Sequence, residues 1–294
     1  MPVDQREIAA IFDFDGTLAE DTTAAFAKWK GIKDPQAEIY DKTTALVADG
    51  WDPPLAYLTR LCRRVQELGL PPIRRDEFVA FGQKFKPYRG VENFLRGLRK
   101  RFESEPDFKE AGLVLNYYVI SAGIGDIIRS VRIAPLFKEI WACEFHYDHT
   151  GVVVEPKATV SFTEKTKYLF YINKGISGAE SRTAPYAVNV ELNPEDRPVP
   201  LGQMVYVGDG PSDVPCMAII NKARPPGKTI LVVNEKDVHK SWELLGRGRP
   251  VPPEYGKKGH ARAVIEDAVF TIAASVVERK LGEKRKHLEK KVGH

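Results

Sequence analysis

The sequence predicts an α/β fold, a doubly wound parallel sheet with an all-helical cap inserted after its first strand. Short apolar runs alternate with helical periodicities along most of the chain, which is typical of an open parallel sheet covered on both faces. The stretch that follows the first apolar run, about 70 residues, contains only helical patterns. Three apolar runs end in polar, glycine-containing turns, where such sheets bind their ligands.

The composition is that of an ordinary globular protein. The chain has 294 residues, of which 43% are hydrophobic and 29% charged, with a net charge of +4. These values exclude disordered, collagen-like and coiled-coil classes. The length suits one domain with a sizeable insertion, or two small domains.

A cytoplasmic location without a membrane partner is expected. The chain contains no run of 18 apolar residues and no apolar secretory segment behind a basic start. Its three cysteines, Cys62, Cys143 and Cys216, are odd in number and far apart. They therefore predict neither a disulfide framework nor a Cys-x-x-Cys metal site.

The first elements predicted along the chain are one buried strand and a block of helices. The strand covers residues 8–12, an apolar run that ends at two acidic residues and a glycine. The proline pairs at 53–54 and 71–72 separate helices and suit their first turns. The predicted helices cover residues 22–30, 36–48, 54–68 and 75–84. This block is predicted as the cap, residues 20–87.

Helices and strands alternate again from Gly90 onward. The predicted helices cover residues 91–102, 125–131, 163–173 and 212–221. Thr163 is the expected N-cap of the third of these helices. The predicted strands cover residues 113–120, 140–147, 152–154, 204–207 and 229–233. Residues 174–202 are expected to be irregular. The predicted core comprises residues 1–19 and 88–245, followed by a C-terminal extension, 246–294, in which Val251-Pro252-Pro253 link to a basic terminal helix.

Carboxylates follow two of the predicted strands. Asp13 and Asp15 come directly after the first strand, and Asp209 and Asp213 follow strand 204–207. Because the carboxyl ends of parallel strands share one edge of the sheet, these side chains are expected to converge. Carboxylate oxygens are the ligands that Mg²⁺ prefers, so the sequence indicates a magnesium site.

Groups that bind anions accompany these carboxylates. Ser121, with the backbone amides of Ala122 and Gly123, follows strand 113–120, and Lys165 lies near the start of a predicted helix. A cation site, a hydroxyl, a lysine and clustered carboxylates together suit phosphoryl transfer.

These segments resemble the four motifs of the haloacid dehalogenase superfamily, over residues 8–235. Asp13-Phe14-Asp15-Gly16-Thr17 resembles the first motif, Ser121 the second, Lys165 the third, and Gly208-Asp209-Gly210-Pro211-Ser212-Asp213 the fourth. The helical block resembles the cap of the phosphoserine phosphatase-like branch. The resemblance implies a Rossmann-like core.

The resemblance also implies a role for each motif residue. Asp13 would be the nucleophile that forms an aspartyl-phosphate, and Asp15 the general acid and then base. Ser121, Lys165 and the Ala122 and Gly123 amides would hold the phosphate, and Thr17 would fix the first turn and contact phosphate. The residues implied for the metal are Asp13, Asp209, the backbone carbonyl of Asp15, and Asp213, which would support the metal or orient Lys165.

The implied activity is a magnesium-dependent phosphatase acting on a small phosphorylated metabolite. Asp15 favours phosphate chemistry, because a dehalogenase has no leaving alcohol to protonate. A phosphomutase or phosphotransferase, or a non-catalytic binding or regulatory protein on the same fold, remain alternatives. Segments 174–202 and 246–294 are longer than the family pattern, and either could alter the substrate or form a homodimer contact.

Several residues carry a second interpretation. Lys167 is a rival for the role of Lys165, and Glu20 and Asp21 can cap a helix or bind a substrate amine. Arg74 and Arg75 can pair with a substrate carboxylate or face solvent. A metal-like group by residue type comprises Cys143, Glu144, His146, Asp148 and His149, but alternation along a strand scatters these side chains over two faces. An incomplete dinucleotide fingerprint comprises Gly123 and Gly125. An apolar helix face comprises Phe78, Phe81 and Phe85.

The C-terminal residues are strongly basic. Residues 278–291 hold seven Lys or Arg and three Glu, which accounts for the whole net charge. A solvated terminal helix with interspersed Glu explains this pattern, and nucleic-acid binding is not expected.

Overall fold

The structure is a computed structural model that describes residues 4–233 and 246–292, with the side chains of the last helix described up to residue 282. Within these ranges, no helix is both long and apolar enough to cross a membrane.

Seven strands form one sheet in the order β4-β3-β2-β1-β5-β6-β7. The strands are β1 Glu7–Phe12, β2 Val114–Ile124, β3 Glu139–Tyr147, β4 Val153–Ala158, β5 Met204–Gly208, β6 Lys228–Val232 and β7 Arg249–Val251. Strand β1 lies at the centre and pairs in parallel with β2 and β5. Strand β4 runs antiparallel to β3 at one edge. The predicted parallel sheet is confirmed, and its central strand is the first in the chain.

Helices precede, follow and connect these strands. They are α1 Thr22–Lys30, α2 Asp41–Ala48, α3 Pro53–Glu67, α4 Arg75–Lys84, α5 Val91–Ser104, α6 Pro106–Glu110, α7 Gly125–Ile128, α8 Phe162–Lys174, α9 Gly178–Thr183, α10 Val214–Lys222 and α11 His260–Val292. A π-helical turn, Gln36–Tyr40, leads into α2. Helices α1 to α4 form the predicted insertion between β1 and β2.

Alternate residues of β1 face the two sides of the sheet. Ile8, Ala10 and Phe12 pack in one core cluster, together with residues of α5, α6 and α11. Ala9 and Ile11 pack in a second cluster, together with residues of α8, α10 and the insertion. Burial on both faces explains why β1 is a continuous apolar run rather than an alternating one.

Aromatic side chains form the interior of the insertion. The ring of Phe26 on α1 lies 4.6 Å from that of Phe78 and 5.5 Å from that of Phe81, both on α4. Phe78 also stacks on Phe145 of β3 at 5.4 Å, so the insertion rests on the sheet. Phe78, Phe81 and Phe85 are thus packing residues, as their helical spacing predicts.

The described part of segment 246–292 contributes to the sheet and to its cover. Strand β7 pairs with β6, and Val233 donates a backbone hydrogen bond of 2.8 Å to Val251. Val251 is therefore the last residue of a strand, not part of a linker as its neighbouring prolines suggested. Helix α11 buries apolar residues at intervals of three and four against the sheet: Ala261, Val264, Ile265, Ala268, Val269, Ile272, Ala273 and Val276.

Three local predictions need correction. Thr163 is not the N-cap of α8, because Ser161 occupies that position with an extended backbone and the helix begins at Phe162. Helix α7 ends at Ile128 rather than 131, since the chain turns after Arg129. Segment 174–202 is irregular for most of its length but includes helix α9, which the side chain of Ser177 caps.

Candidate active site

The predicted motif residues meet at the carboxyl edge of the sheet. Strand β1 ends just before Asp13, and β5 ends just before Asp209. Ser121 lies in the last part of β2, and Lys165 lies in the first turn of α8. Residues 13–21, between β1 and α1, are called the first loop below.

Lys165 lies between two carboxylates. Its ammonium nitrogen is 2.7 Å from Oδ2 of Asp13 and 2.7 Å from Oδ1 of Asp213. Lys165 and Asp213 are both fully buried. Burial alone would lower the pKa of Lys165, but the two carboxylates outweigh it and raise this pKa. Lys165 is therefore a fixed cation at the centre of the site.

Asp213 is saturated with hydrogen bonds. Besides Lys165, its Oδ1 accepts a hydrogen bond of 2.6 Å from the hydroxyl of Tyr206. Its Oδ2 accepts bonds of 3.1 and 3.0 Å from the backbone amides of Asp209 and Gly210. Gly208 leaves room for this arrangement, because a Cβ there would lie 2.4 Å from the carboxylate carbon of Asp213. Asp213 thus orients Lys165 and the loop that carries Asp209.

The donor set fits a hard divalent cation. Carboxylate oxygens of Asp13, Asp209 and Asp213 lie within 4.8 Å of one another, and they form the one such group among the described residues. The carboxylate of Asp213 accepts four hydrogen bonds, whereas that of Asp13 accepts two and that of Asp209 one, so Asp13 and Asp209 retain more acceptor capacity for a cation. Gly16, at φ +73°, makes the approach of Asp209 possible, because a Cβ there would meet Oδ2 of Asp209 at 2.1 Å.

Burial and crowding raise the pKa of both candidate ligands. Burial raises the pKa of Asp13 to about 6, with Asp213 adding to the rise and Lys165 opposing it. Burial and the charges of Asp13 and Asp213 hold the pKa of Asp209 well above its usual range. A bound cation would stabilise both ionised carboxylates, which is the electrostatic condition of a metal site.

The carboxylate of Asp15 points away from this group, toward the insertion. Its Oδ1 accepts a hydrogen bond of 3.1 Å from the amide of Thr22, and its Oδ2 one of 3.0 Å from the Thr22 hydroxyl. Burial, with Asp21 and Asp13, holds the pKa of Asp15 well above its usual range. The Asp15 carboxylate is outside the metal-compatible group, so only its backbone carbonyl is a candidate for that role.

The second motif is an irregular end of β2. The pairing with β3 shifts between Ile120 and Ile124, and the amide of Gly123 donates to the hydroxyl of the buried Ser121 at 3.1 Å. A Cβ on Gly123 would lie 2.5 Å from Oδ2 of Asp15, so the two motifs are in direct contact. The carbonyl of Ala122 accepts a hydrogen bond of 2.6 Å from Tyr57 on α3 of the insertion.

Thr17 is fully buried and supports Asp209. Its hydroxyl donates to Oδ1 of Asp209 at 3.1 Å, and its carbonyl accepts a bond of 2.8 Å from Tyr255. These two bonds join Thr17 of the first loop to Asp209 and Tyr255, and its predicted contact with phosphate stays a prediction.

Sequence reasoning missed the tyrosines around the site. Tyr57 and Tyr40 are on the insertion, with ring centroids 5.4 Å apart, and Tyr40 donates to Oδ2 of Asp21 at 2.7 Å. Tyr206 lies on β5, and Tyr255 follows β7. Neither spacing nor composition distinguishes these tyrosines from ordinary core aromatics. Thr22, the first residue of α1, was missed as well. Its position directly after Asp21 was the one feature of the sequence that could have pointed to it.

The structure shows the contacts of the residues near the motifs that carried a second interpretation. Lys167 pairs with Glu164, and its ammonium nitrogen lies 5.0 Å from the centre of the Tyr168 ring, at the surface. Asp21 caps α1 by accepting a bond of 2.8 Å from Ala24, while Glu20 is exposed.

Two further groups also take part in ordinary packing and pairing. Arg74 donates to the carbonyl of Thr150 at 2.7 Å, and Arg75 lies 3.2 Å from Asp126. The metal-like residues of β3 are dispersed. Cys143 is buried against Ala122, Glu144 pairs with Arg129, Asp148 accepts bonds from the following turn, and His146 and His149 are exposed.

Of the basic residues 278–291, the two whose side chains are described contact the body of the protein. Arg279 donates to Gln203 at 2.8 Å, and Lys280 pairs with Asp4 at 2.7 Å. The other five, Lys284, Arg285, Lys286, Lys290 and Lys291, lie outside the residues with described side chains. The prediction of a solvated helix without nucleic-acid binding remains untested.

Comparisons with known proteins identify the fold. No protein-family model matches the chain. A protein of Borreliella burgdorferi described as uncharacterized is 23% identical over 270 residues, which cover 81% of this chain and 88% of that protein.

The comparison with solved structures identifies the fold, which the family models and the uncharacterized relative do not. A phosphoserine phosphatase with an aspartyl-phosphate analogue aligns at a TM-score of 0.51 and 14% identity, covering 89% of this chain and 99% of that one. An HAD family hydrolase from Salmonella enterica serovar Typhi aligns at 0.52 and 13% identity, covering 90% and 71%. A probable phosphoserine phosphatase from Vibrio cholerae aligns at 0.52 and 13% identity, covering 93% and 68%. The chain therefore has the fold of these phosphatases and of this hydrolase, the fold that the resemblance of its motifs implied.

Proposed function

We propose that the chain is a magnesium-dependent phosphatase that hydrolyses a small phosphomonoester through an aspartyl-phosphate on Asp13. The observation that carries this proposal is the buried Lys165, held at 2.7 Å from both Asp13 and Asp213 at the carboxyl edge of the sheet. On this fold, a fixed cation beside a carboxylate and a second acid suits nucleophilic attack on phosphorus.

Asp13 is the proposed nucleophile. Its Oδ1 accepts a bond of 2.6 Å from the amide of Phe14, and Lys165 holds its Oδ2, so the carboxylate has one orientation. A carboxylate and a phosphate dianion repel each other at contact distance. Lys165 offsets part of that repulsion, and the attack then forms the Asp13–phosphate bond as the ester bond to the alcohol breaks.

Asp15 is the proposed proton donor and acceptor. Burial raises the pKa of Asp15 well above its usual range, which favours the protonated acid relative to an exposed Asp, and both of its oxygens are held by Thr22. The acid gives its proton to the leaving alkoxide. The resulting carboxylate then takes a proton from the water that attacks phosphorus and releases Asp13.

Magnesium would be held by Asp13 and Asp209, with the backbone carbonyl of Asp15. When bound, it would supply positive charge that offsets the anionic phosphate and the crowded carboxylates. Thr17 and Gly16 keep Asp209 in place for this role.

Helices α1 to α4 are proposed to act as a cap over this site, within a cap of residues 20–87 and a core of residues 1–19 and 88–245. The insertion contacts the site through Thr22 on Asp15 and through Tyr57 on Ala122. Both contacts join the cap to residues that surround the phosphate position. Because the insertion contacts residues at and beside the proposed acid, we propose a small alcohol, and phosphoserine is the first candidate because of the fold.

The test is a panel of small phosphomonoesters, phosphoserine among them, assayed for phosphate release with Mg²⁺. We expect release from at least one ester, loss of activity in EDTA and recovery with added Mg²⁺. Asp13→Asn protein is the control for contaminating phosphatases. Full activity in EDTA would contradict the proposal.

Two other outcomes would identify the alternatives. Transfer of the phosphoryl group to a second hydroxyl, without free phosphate, would indicate a mutase or phosphotransferase. Tight binding without any turnover would indicate a binding or regulatory protein.

A second measurement tests closure of the cap. Mg²⁺ with beryllium fluoride should protect residues 19–22 and 86–90 from proteolysis, and EDTA should remove that protection.

A further inference from the structure

A tyrosine outside the four motifs reaches the first loop from the C-terminal part of the chain. Tyr255 lies in the connector of residues 252–259, between β7 and α11. Its side chain is buried, and its hydroxyl donates a hydrogen bond of 2.8 Å to the carbonyl of Thr17, 238 residues earlier.

This bond continues to the candidate metal site. Thr17, whose carbonyl accepts from Tyr255, donates its own hydroxyl to Oδ1 of Asp209 at 3.1 Å. Two successive hydrogen bonds therefore join Tyr255 to a proposed metal ligand. Asp209 also lies close against Gly16, where a Cβ would be 2.1 Å from its Oδ2.

Packing fixes the position of Tyr255. Its ring lies 5.7 Å from that of Phe94 on α5. Its backbone lies against Gly90, where φ is +96° and a Cβ would be 2.7 Å from the carbonyl carbon of Tyr255. Only a glycine at position 90 allows both this backbone conformation and this close approach.

The same junction includes the return from the insertion. The amide of Tyr88 donates to the carbonyl of Leu18 in the first loop at 2.8 Å. Tyr88 and Gly90 belong to the chain between α4 and α5, so Tyr255 lies where the first loop and this chain meet. The connector is held in turn by a bond of 3.2 Å from Arg262 on α11 to the carbonyl of Glu254.

We propose that Tyr255 is a positioning residue for the metal site, acting through Thr17 on Asp209. The inference rests on the proposed function. A metal ligand binds tightly when hydrogen bonds fix its orientation in advance, and loss of such a partner weakens metal binding. The C-terminal connector thereby completes a site whose motifs all lie before residue 214.

The test compares two phenylalanine variants of the full chain. Tyr255→Phe keeps the ring and removes the bond to Thr17. Tyr117→Phe is the matched control, because Tyr117 is buried in the same core cluster and donates to the carbonyl of Leu95 at 2.9 Å, away from the site. The readouts are Mn²⁺ affinity, measured by paramagnetic resonance, and the Mg²⁺ concentration for half-maximal phosphate release.

We expect Tyr255→Phe to weaken Mn²⁺ binding and to raise the Mg²⁺ requirement, each by about fivefold, the effect of one lost hydrogen bond. Tyr117→Phe should leave both values at wild type. Wild-type Mn²⁺ affinity in folded Tyr255→Phe, or an equal loss in Tyr117→Phe, would overturn the inference while leaving the proposed function intact. A wild-type protein that neither binds Mn²⁺ nor releases phosphate would overturn both.

The route through Thr17 has its own measurement. Thr17→Val removes the hydroxyl that donates to Asp209, and it should weaken Mn²⁺ binding even if Tyr255→Phe folds poorly. In the double variant, the loss should be smaller than the sum of the two single losses in free energy, because both changes break one chain of bonds. Additive losses, or wild-type binding in Thr17→Val, would contradict the proposed route.

Discussion

The carboxyl edge of the sheet and the insertion that faces it are built differently. At the sheet edge, ion pairs and multiple hydrogen bonds hold Asp13, Lys165 and Asp213, as with the four bonds to Asp213. The insertion is held together by packed aromatic rings, such as the tilted pair of Phe26 and Phe78. It reaches the motif residues through a few hydrogen bonds, from Thr22 to Asp15 and from Tyr57 to Ala122.

This difference underlies a proposal that the sheet edge is fixed and that the insertion can move. A side chain held by several buried charged bonds cannot shift without leaving a charge unpaired, which costs several kcal/mol. A single neutral hydrogen bond contributes only about 1 kcal/mol, so it can open and close during a reaction cycle. We therefore propose that the sheet edge carries out the chemistry and that the insertion controls access to it.

The largest expected effect tests the fixed edge. Asp13→Asn removes the attacking charge at nearly constant volume, and the amide can still accept from Phe14. Turnover should fall on the order of 10⁴-fold or more, as expected for a lost nucleophile. Phosphate release and circular dichroism measure activity and folding on the same sample. Wild-type turnover in a folded Asp13→Asn protein would mean that another residue attacks phosphorus.

The next effect distinguishes proton transfer from mere structure. Asp15→Asn retains hydrogen bonding to Thr22 but removes the acid. For an alkyl phosphate, whose alcohol has a high pKa, the rate should fall by about 10²–10⁴-fold. For nitrophenyl phosphate, which needs little protonation, the loss should be much smaller. Equal losses for the two leaving groups would indicate a structural or metal role for Asp15.

A third prediction compares a buried lysine with its surface neighbour. Lys165→Met leaves Asp13 and Asp213 buried without their cation, so the free energy of unfolding should fall by about 3–5 kcal/mol. Lys167→Met is the matched control on the same helix, and its effect should stay within about 0.5 kcal/mol. Urea unfolding without Mg²⁺ measures both. Similar losses in the two variants would show that the edge is less dependent on Lys165 than its contacts indicate.

The smallest effect tests the movable part. Tyr57→Phe removes the bond from the insertion to Ala122, so the open form of the insertion should become about fivefold more populated. Limited proteolysis of residues 85–90 measures that population. Tyr171→Phe is the control, because Tyr171 donates to the carbonyl of Pro185 at 3.2 Å, away from the insertion. Unchanged cleavage in Tyr57→Phe would mean that the insertion is fixed by its other contacts.

The fold and the motif residues were accessible from sequence because their signals are local. A strand buried on both faces appears in the sequence as an apolar run. The acidic residue directly after such a run, Asp13 after β1 and Asp209 after β5, stands out against it. Gly16 and Gly208 belong to the same signal, since a Cβ at either position would collide with Asp209 or Asp213. Helices α1 and α4 were predicted with their observed bounds.

The contacts made by tyrosines were not accessible, because they join residues far apart in sequence. Tyr57 reaches Ala122 across 65 residues, and Tyr206 resembles any apolar residue of a buried strand until its hydroxyl is seen on Asp213. The seventh strand was also missed. Arg249–Val251 is short and contains a proline, which a pattern-based prediction assigns to a loop and an edge strand tolerates.

The position of Tyr255 has a consequence for synthesis of the protein on the ribosome. Strand β1 is made early, yet its neighbours β2 and β5 come much later, and the bond to Thr17 waits for a residue 238 positions downstream. β2 is complete at residue 124 and β5 at residue 208, so β1 gains both neighbours before the connector is made. At 5–20 residues per second, the first loop is made roughly 10–50 s before the tyrosine that holds the carbonyl of Thr17. A chain released before the connector would keep all four motifs and still lack one support of the proposed metal site.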